Sequence, residues 1–132
     1  MRIMIDTNVL ISMIFFPSEN MNEVKQRICK NFSIVLCSHI AEELQSVVER
    51  KFKSKSKALD NFLESLPYEL VYTPKFFDAN KFPQVRDKKD TPILVTAIIE
   101  DVDILLSGDG DFSPVEIDRP EILTPSEFLE KY

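Results

Sequence analysis

Short apolar runs separated by longer segments of helical periodicity constrain this chain more than any other feature. "RIMID" (2–6), "SIVLC" (33–37), "YELVYT" (68–73), "DILLS" (103–107) and "EILT" (121–124) read as strands. Between them, "SENMNEVKQRICKN" (18–31) predicts a helix with Ser18 as N-cap, and "SHIAEELQSVVERKF" (38–52) one with Ser38 as N-cap. "KALDNFLESL" (57–66), "TPILVTAIIED" (91–101) and "PSEFLEKY" (125–132) complete the set. The fourth of these helices is apolar nearly all round and is predicted to be buried. Strands that alternate with helices imply βαβ units, right-handed crossovers and a parallel sheet, so the expected class is α/β.

A chain of 132 residues with 44% hydrophobic content fits one domain over residues 1–132. The apolar run "VLISMIFF" is too short to cross a bilayer, and "MRIMIDTN" meets an acid before a signal-like stretch can develop. The expectation is a soluble cytoplasmic protein with no membrane partner. "VLISMIFF" and the helix over 18–31 offer apolar surface for a homodimer, a role that core burial serves equally well. Cys29, Cys37 and His39 fall short of the usual four zinc ligands, and both thiols are expected buried and reduced.

Charge is unevenly spread. Residues 1–99 carry 14 Lys and Arg against 12 Asp and Glu, whereas residues 100–132 carry 2 against 10. Within the first part, "RKFKSKSK" (50–57) brings together Arg50, Lys51, Lys53, Lys55 and Lys57, and "VRDKKD" (85–90) adds Arg86, Lys88 and Lys89. Such clusters can hold a polyanion on an otherwise acidic protein, although cations at a helix end also complement the helix dipole.

In an open parallel sheet, functional groups collect beyond the C-terminal ends of the strands. Asp6 ends the first predicted strand, and Asp109 and Asp111 follow the fourth within "SGDGDF". Gly108 and Gly110 are the only glycines of the chain, which suggests a sharp turn that aims Asp109 back across the strand ends. An Asx-turn after a strand accounts for any one of these acids alone. On the helix over 38–52, Ile40, Leu44, Val47 and Val48 form one stripe, with Glu43 along its border and Glu42 nearly opposite. Glu43 is therefore the acid that can face a crevice. Thr91 precedes Pro92 as a predicted N-cap, which leaves Asp90 just outside the buried helix, with Asp87 nearby.

Asp6, Glu43, Asp90 and Asp109 can thus converge. Two carboxylates about 4 Å apart repel by roughly 4 kcal/mol at an effective dielectric of 20, and a divalent cation relieves that repulsion. Oxygen-only ligands suit Mg²⁺ or Mn²⁺, which also bind phosphate oxygens. With lysines and arginines nearby, the combination suggests metal-assisted cleavage of a phosphodiester.

"MIDTNVLIS", "AEEL", "VRDKKDTPILVTAI" and "DILLSGDGDF", in this order, resemble the PIN-domain family over nearly the whole chain, and the likeness is strongest to its VapC-like branch of bacterial toxins. The resemblance implies a three-layer α/β/α sandwich around a parallel sheet of about five strands in the order 3-2-1-4-5. It implies a Mg²⁺- or Mn²⁺-dependent endoribonuclease, with RNA as substrate, an antitoxin protein as partner and a homodimer as the common assembly. Asp6, Glu43, Asp90 and Asp109 match its four acidic ligands. Thr7, Asn8 and Ser107 match its polar neighbours, with Asp87 and Asp111 as supporting acids. Lys53, Lys55, Lys57, Arg86 and Lys89 are the candidate RNA contacts. Thr91 stands where the branch often carries a second acid. The implied reaction is hydrolysis by metal-activated water, without a protein nucleophile, leaving 5′-phosphate and 3′-hydroxyl ends.

Other classes fit less well. A Rossmann or P-loop protein needs a glycine-rich turn after the first strand, and "IDTNVLIS" has none. A haloacid-dehalogenase-type phosphatase carries a second Asp where this chain has Asn8. A catalytically inactive PIN-like scaffold that acts by binding proteins is the non-enzyme alternative. His39 is expected to be structural or solvated.

Overall fold

The computed structural model describes residues 1–108, 112 and 115–132. Five strands form one parallel sheet: β1 (Arg2–Ile5), β2 (Ser33–Cys37), β3 (Tyr68–Val71), β4 (Ile104–Leu106) and β5 (Glu121–Leu123). Their order is β3-β2-β1-β4-β5, as the resemblance implies. β1 is central, with Ile3 paired to Ile34 of β2 and to Ile104 of β4. Successive residues of a strand face opposite sides, and Ile3, Met4 and Ile5 are all buried, as are Ile104, Leu105 and Leu106. Both faces of the sheet are therefore covered at its centre, which is why these runs read as continuously apolar rather than alternating, whereas Tyr68 and Leu70 of the edge strand β3 are exposed.

Among the described residues, the α-helices between the strands are α1 (Thr7–Phe15), α2 (Glu19–Asn31), α3 (Ser38–Lys51), α4 (Ser56–Ser65) and α5 (Thr91–Ile99), and α6 (Pro125–Lys131) follows β5. Ser18 caps α2 as expected, accepting from the Met21 amide at 3.1 Å. Thr124 and Glu127 close a reciprocal capping box at α6.

Several local expectations are overturned. The segment beginning at Thr7, expected only as an apolar run, is the helix α1, which buries Val9, Leu10 and Met13. Ser38 is the first residue of α3 rather than its cap, because its hydroxyl accepts from the Thr73 amide at 2.9 Å and joins the helix to the end of β3. Thr91 is helical (φ −54°, ψ −45°) in spite of Pro92, and Asp90 takes the N-cap position without a side-chain capping bond. A 3₁₀ turn over Lys88–Asp90 runs straight into α5, and the Thr91 amide donates to the Lys88 carbonyl, which outweighs the bias that proline places on the residue before it. Of the two thiols, Cys37 is buried as expected, but Cys29 is exposed on α2. α5 buries Ile93, Leu94, Val95, Thr96 and Ala97 as predicted and exposes Ile99 near its end.

Gly108 does not adopt a left-handed backbone, and a Cβ placed there would meet nothing within 4 Å. The sharp-turn argument therefore fails at this glycine, while Gly110 lies outside the described residues.

Candidate active site

Each of α1, α3 and α5 begins at the edge where the parallel strands end, and this shared edge gathers the candidate site. Asp6 follows β1 directly and is 2% exposed. Its own amide donates to the Leu106 carbonyl of β4 at 2.9 Å, which fixes its backbone between the two central strands. One carboxylate oxygen, Oδ1, accepts from the Thr7 amide at 2.7 Å and caps α1, and Oδ2 accepts from the Ser107 hydroxyl at 3.0 Å. A buried carboxylate is costly unless hydrogen-bonded, and here charge-assisted donors from two separate elements hold it. The Thr7 hydroxyl is buried without a hydrogen-bond partner. Asn8 is exposed and lines a groove with Ser12, Asn20, Gly108 and Thr124 beside the same edge.

Glu43 is half-buried on the second turn of α3, whereas Glu42 is exposed. Both line an open groove with His39, Lys89 and Pro92. The Nε2 atom of His39 lies 3.8 Å from Oε2 of Glu43, one helical turn away, and is itself buried without a hydrogen-bond partner. Lys89 and Pro92 flank Asp90 in sequence, so the Asp90 segment faces the groove that Glu43 lines. α3 also packs against α5.

Asp87 and Asp90 differ in occupation. The Asp87 carboxylate accepts from the Lys89 amide at 3.0 Å and caps the 3₁₀ turn, whereas Asp90 is half-buried at the start of α5. A polar network holds these elements together. The Thr96 hydroxyl on α5 donates to the Pro92 carbonyl at 2.7 Å and lies 3.1 Å from the Thr73 hydroxyl. Thr73 in turn accepts from the His39 amide at 3.3 Å and donates its own amide to Ser38. Burial pushes the Cys37 thiol above its ordinary pKa, against hydrogen bonding from Thr73, which leaves a neutral thiol beneath this network. Sequence reasoning missed Thr73 and Thr96. The only signal for them was a hydroxyl inside otherwise apolar runs.

Asp109 and Asp111 lie outside the described residues. Among the described residues, no three His, Cys, Asp or Glu side chains are grouped so as to hold a metal ion. Asp6, Glu43 and Asp90 are thus arranged around one sheet edge without completing a ligand set by themselves. Their all-oxygen chemistry suits a hard divalent cation. Lys53, Lys55 and Lys57 are exposed after α3, well apart from this edge, while Arg86 and Lys89 are exposed just before α5.

The PIN domain profile matches residues 2–111. No curated protein matches the chain. Among solved structures, the crystal structure of VapBC2 from Rickettsia felis bound to a DNA fragment from their promoter aligns with a TM-score of 0.73 at 19% identity. That alignment covers 94% of this chain and 98% of the other. No helix among the described residues is long and apolar enough to cross a membrane. The strand order, an acid at the end of β1 and a profile match across most of the sequence lead to one assignment: the chain belongs to the PIN-domain family.

Proposed function

We propose that this chain is a divalent-metal-dependent endoribonuclease and the toxin of a toxin–antitoxin pair. The observation that carries the nuclease reading is Asp6, a carboxylate buried at the end of the central strand and held by Thr7 and Ser107 beside the edge where Glu43 and Asp90 also stand. A charge kept in so costly a position, and oriented from two elements, is the mark of a ligand rather than of a solvated surface acid. The fold it shares with VapBC2 of Rickettsia felis, together with the sequence likeness to the VapC-like branch, supports the second part.

Asp6, Glu43, Asp90 and Asp109 would hold Mg²⁺ or Mn²⁺, which when bound supplies an activated water and neutralises phosphate charge. Ser107 and the Thr7 amide aim the Asp6 carboxylate. Asp87 shapes the 3₁₀ turn that presents Asp90 and Lys89. Lys89 and Arg86 draw the phosphate backbone towards the groove along Glu43.

The test is cleavage of RNA by the purified protein with Mn²⁺ and with EDTA, alongside Asp6→Asn. Metal-dependent cleavage that Asp6→Asn abolishes supports the reading. A folded protein that binds no divalent ion and cleaves nothing is instead a PIN-like scaffold, while release of phosphate from monoesters without RNA cleavage would make it a phosphatase.

A further inference from the structure

α1 spans from one functional feature to another. Asp6 is its N-cap and Phe16 its C-cap, and ten residue steps at about 1.5 Å each place them about 15 Å apart along the axis. At the Phe16 end, three aromatic rings meet. Phe15 stacks on Phe52 with centroids 4.8 Å apart at 18°, and Phe16 meets Phe52 edge-on at 5.9 Å and 71°. Phe15 and Phe52 are partly buried against the core, whereas Phe16 is 59% exposed. The Lys55 ammonium lies over the Phe15 ring, 5.6 Å from its centroid. Residues 50–57 supply five cations and no acid, and all five are exposed.

An exposed ring braced by a second, beside a run of cations, is chemically specific. Apolar packing explains Phe15 and Phe52 but not Phe16, most of which remains in water. A protein surface of opposite charge would use the lysines without needing the ring, and a purely apolar partner would have to desolvate five cations. A single-stranded polyanion with π-faces uses both: bases stack on the ring while ammonium groups follow the phosphates.

We propose that Phe16, braced by Phe52, is a stacking platform for unpaired bases of single-stranded RNA, with Lys53, Lys55 and Lys57 holding the adjacent phosphates. The platform rests on the ribonuclease reading and extends it: a strand seated there runs along α1 towards Asp6, which favours substrates unpaired on one side of the cleaved bond.

The test measures binding of fluorescent oligoadenylate and oligouridylate to the full chain in EDTA, so that no cleavage intervenes. Phe16→Ala should weaken binding roughly tenfold, within the range found for loss of one stacked base. Phe16→Leu, which keeps apolar surface but no π-face, should weaken it nearly as much, and Phe16→Trp should retain it. Unchanged melting temperatures would show that all three variants fold. Wild-type affinity in Phe16→Ala, with binding lost in Lys53→Gln/Lys55→Gln/Lys57→Gln, would overturn the platform and leave the ribonuclease reading intact. Wild-type RNA affinity with an altered sedimentation coefficient would assign the ring to a contact between copies of the chain. Failure of the unmodified protein either to bind single-stranded RNA or to cleave it with Mn²⁺ would bring down the ribonuclease reading itself.

Discussion

The Ser107 hydroxyl donates to Oδ2 of Asp6 across 3.0 Å, and the two residues are 101 positions apart in the chain. The hydrogen bond ties the ends of β1 and β4, adjacent strands at the centre of the sheet, to one buried carboxylate. Ser107→Ala removes a charge-assisted donor and should cost about 1–3 kcal/mol in stability while reducing Mn²⁺ affinity. Thermal unfolding with and without Mn²⁺ checks both effects. A variant whose metal-induced rise in Tm matches that of the parent protein would show that Ser107 does not orient a ligand.

Asp6→Asn keeps the size of the side chain and removes its charge. The amide can still accept from Thr7, so α1 should remain capped and the metal-free Tm should stay close to that of the parent. The rise in Tm caused by Mn²⁺ should disappear, together with RNA cleavage. Retention of either one in the folded variant removes Asp6 from the site.

Glu43→Gln should reduce cleavage at least a hundredfold, on the scale of a lost group that stabilises transition-state charge, and Glu42→Gln less than threefold. Both acids line the groove, but only Glu43 is half-buried and faces His39. Matched kinetics on one RNA substrate decide this, and equal losses would mean that the groove, not the inner position, selects the functional acid.

Gly108→Ala should be nearly silent. Its backbone lies outside the left-handed region and an added methyl group meets open space, so a change in Tm beyond about 2 °C, which corresponds to roughly 0.5 kcal/mol here, would contradict the geometry.

At the opposite end of the sheet, Glu121 bonds to Lys131 and accepts from the Tyr132 hydroxyl at 3.0 Å, which ties α6 to β5. The hydrogen bond from Lys131 holds the Glu121 carboxyl below its ordinary range, and the same bond raises the Lys131 ammonium. A lowered carboxyl stabilises the fold above its unfolded pKa and loses that contribution as pH falls through the folded one. A raised ammonium stabilises below its unfolded pKa and loses its part as pH rises through the folded one. The pair is therefore fully formed between roughly pH 4.3 and pH 10.4. Glu121→Gln should lower Tm modestly at pH 7, and that difference should shrink on acidification below the ordinary carboxylate range. A difference that stays constant from pH 7 to pH 3 would assign the effect to packing around Tyr132.

Sequence alone determined the alternation of elements, because the period of apolar residues is a local property. Ile3 to Ile5 and Ile104 to Leu106 read as buried strands from their own composition, and Asp6 was placed at a strand end for the same reason. Tertiary structure decided what local pattern cannot encode. α1 went unrecognised because "VLISMIF" is apolar on most sides, and a helix without a polar face has no phase to read. Ser38 looks like an N-cap until a backbone amide 35 residues away claims its hydroxyl, and Thr91 like a cap until the 3₁₀ turn before it supplies the hydrogen bond. Thr73 and Thr96, which join β3, α3 and α5 behind Glu43 and Asp90, acquire a role only when the chain between β3 and α5 folds back and brings their hydroxyls within 3.1 Å. A hydroxyl's preference for a cap or a turn is written in its neighbours along the chain, but its partner in a buried network is set by which strands lie side by side, and that only the folded sheet fixes.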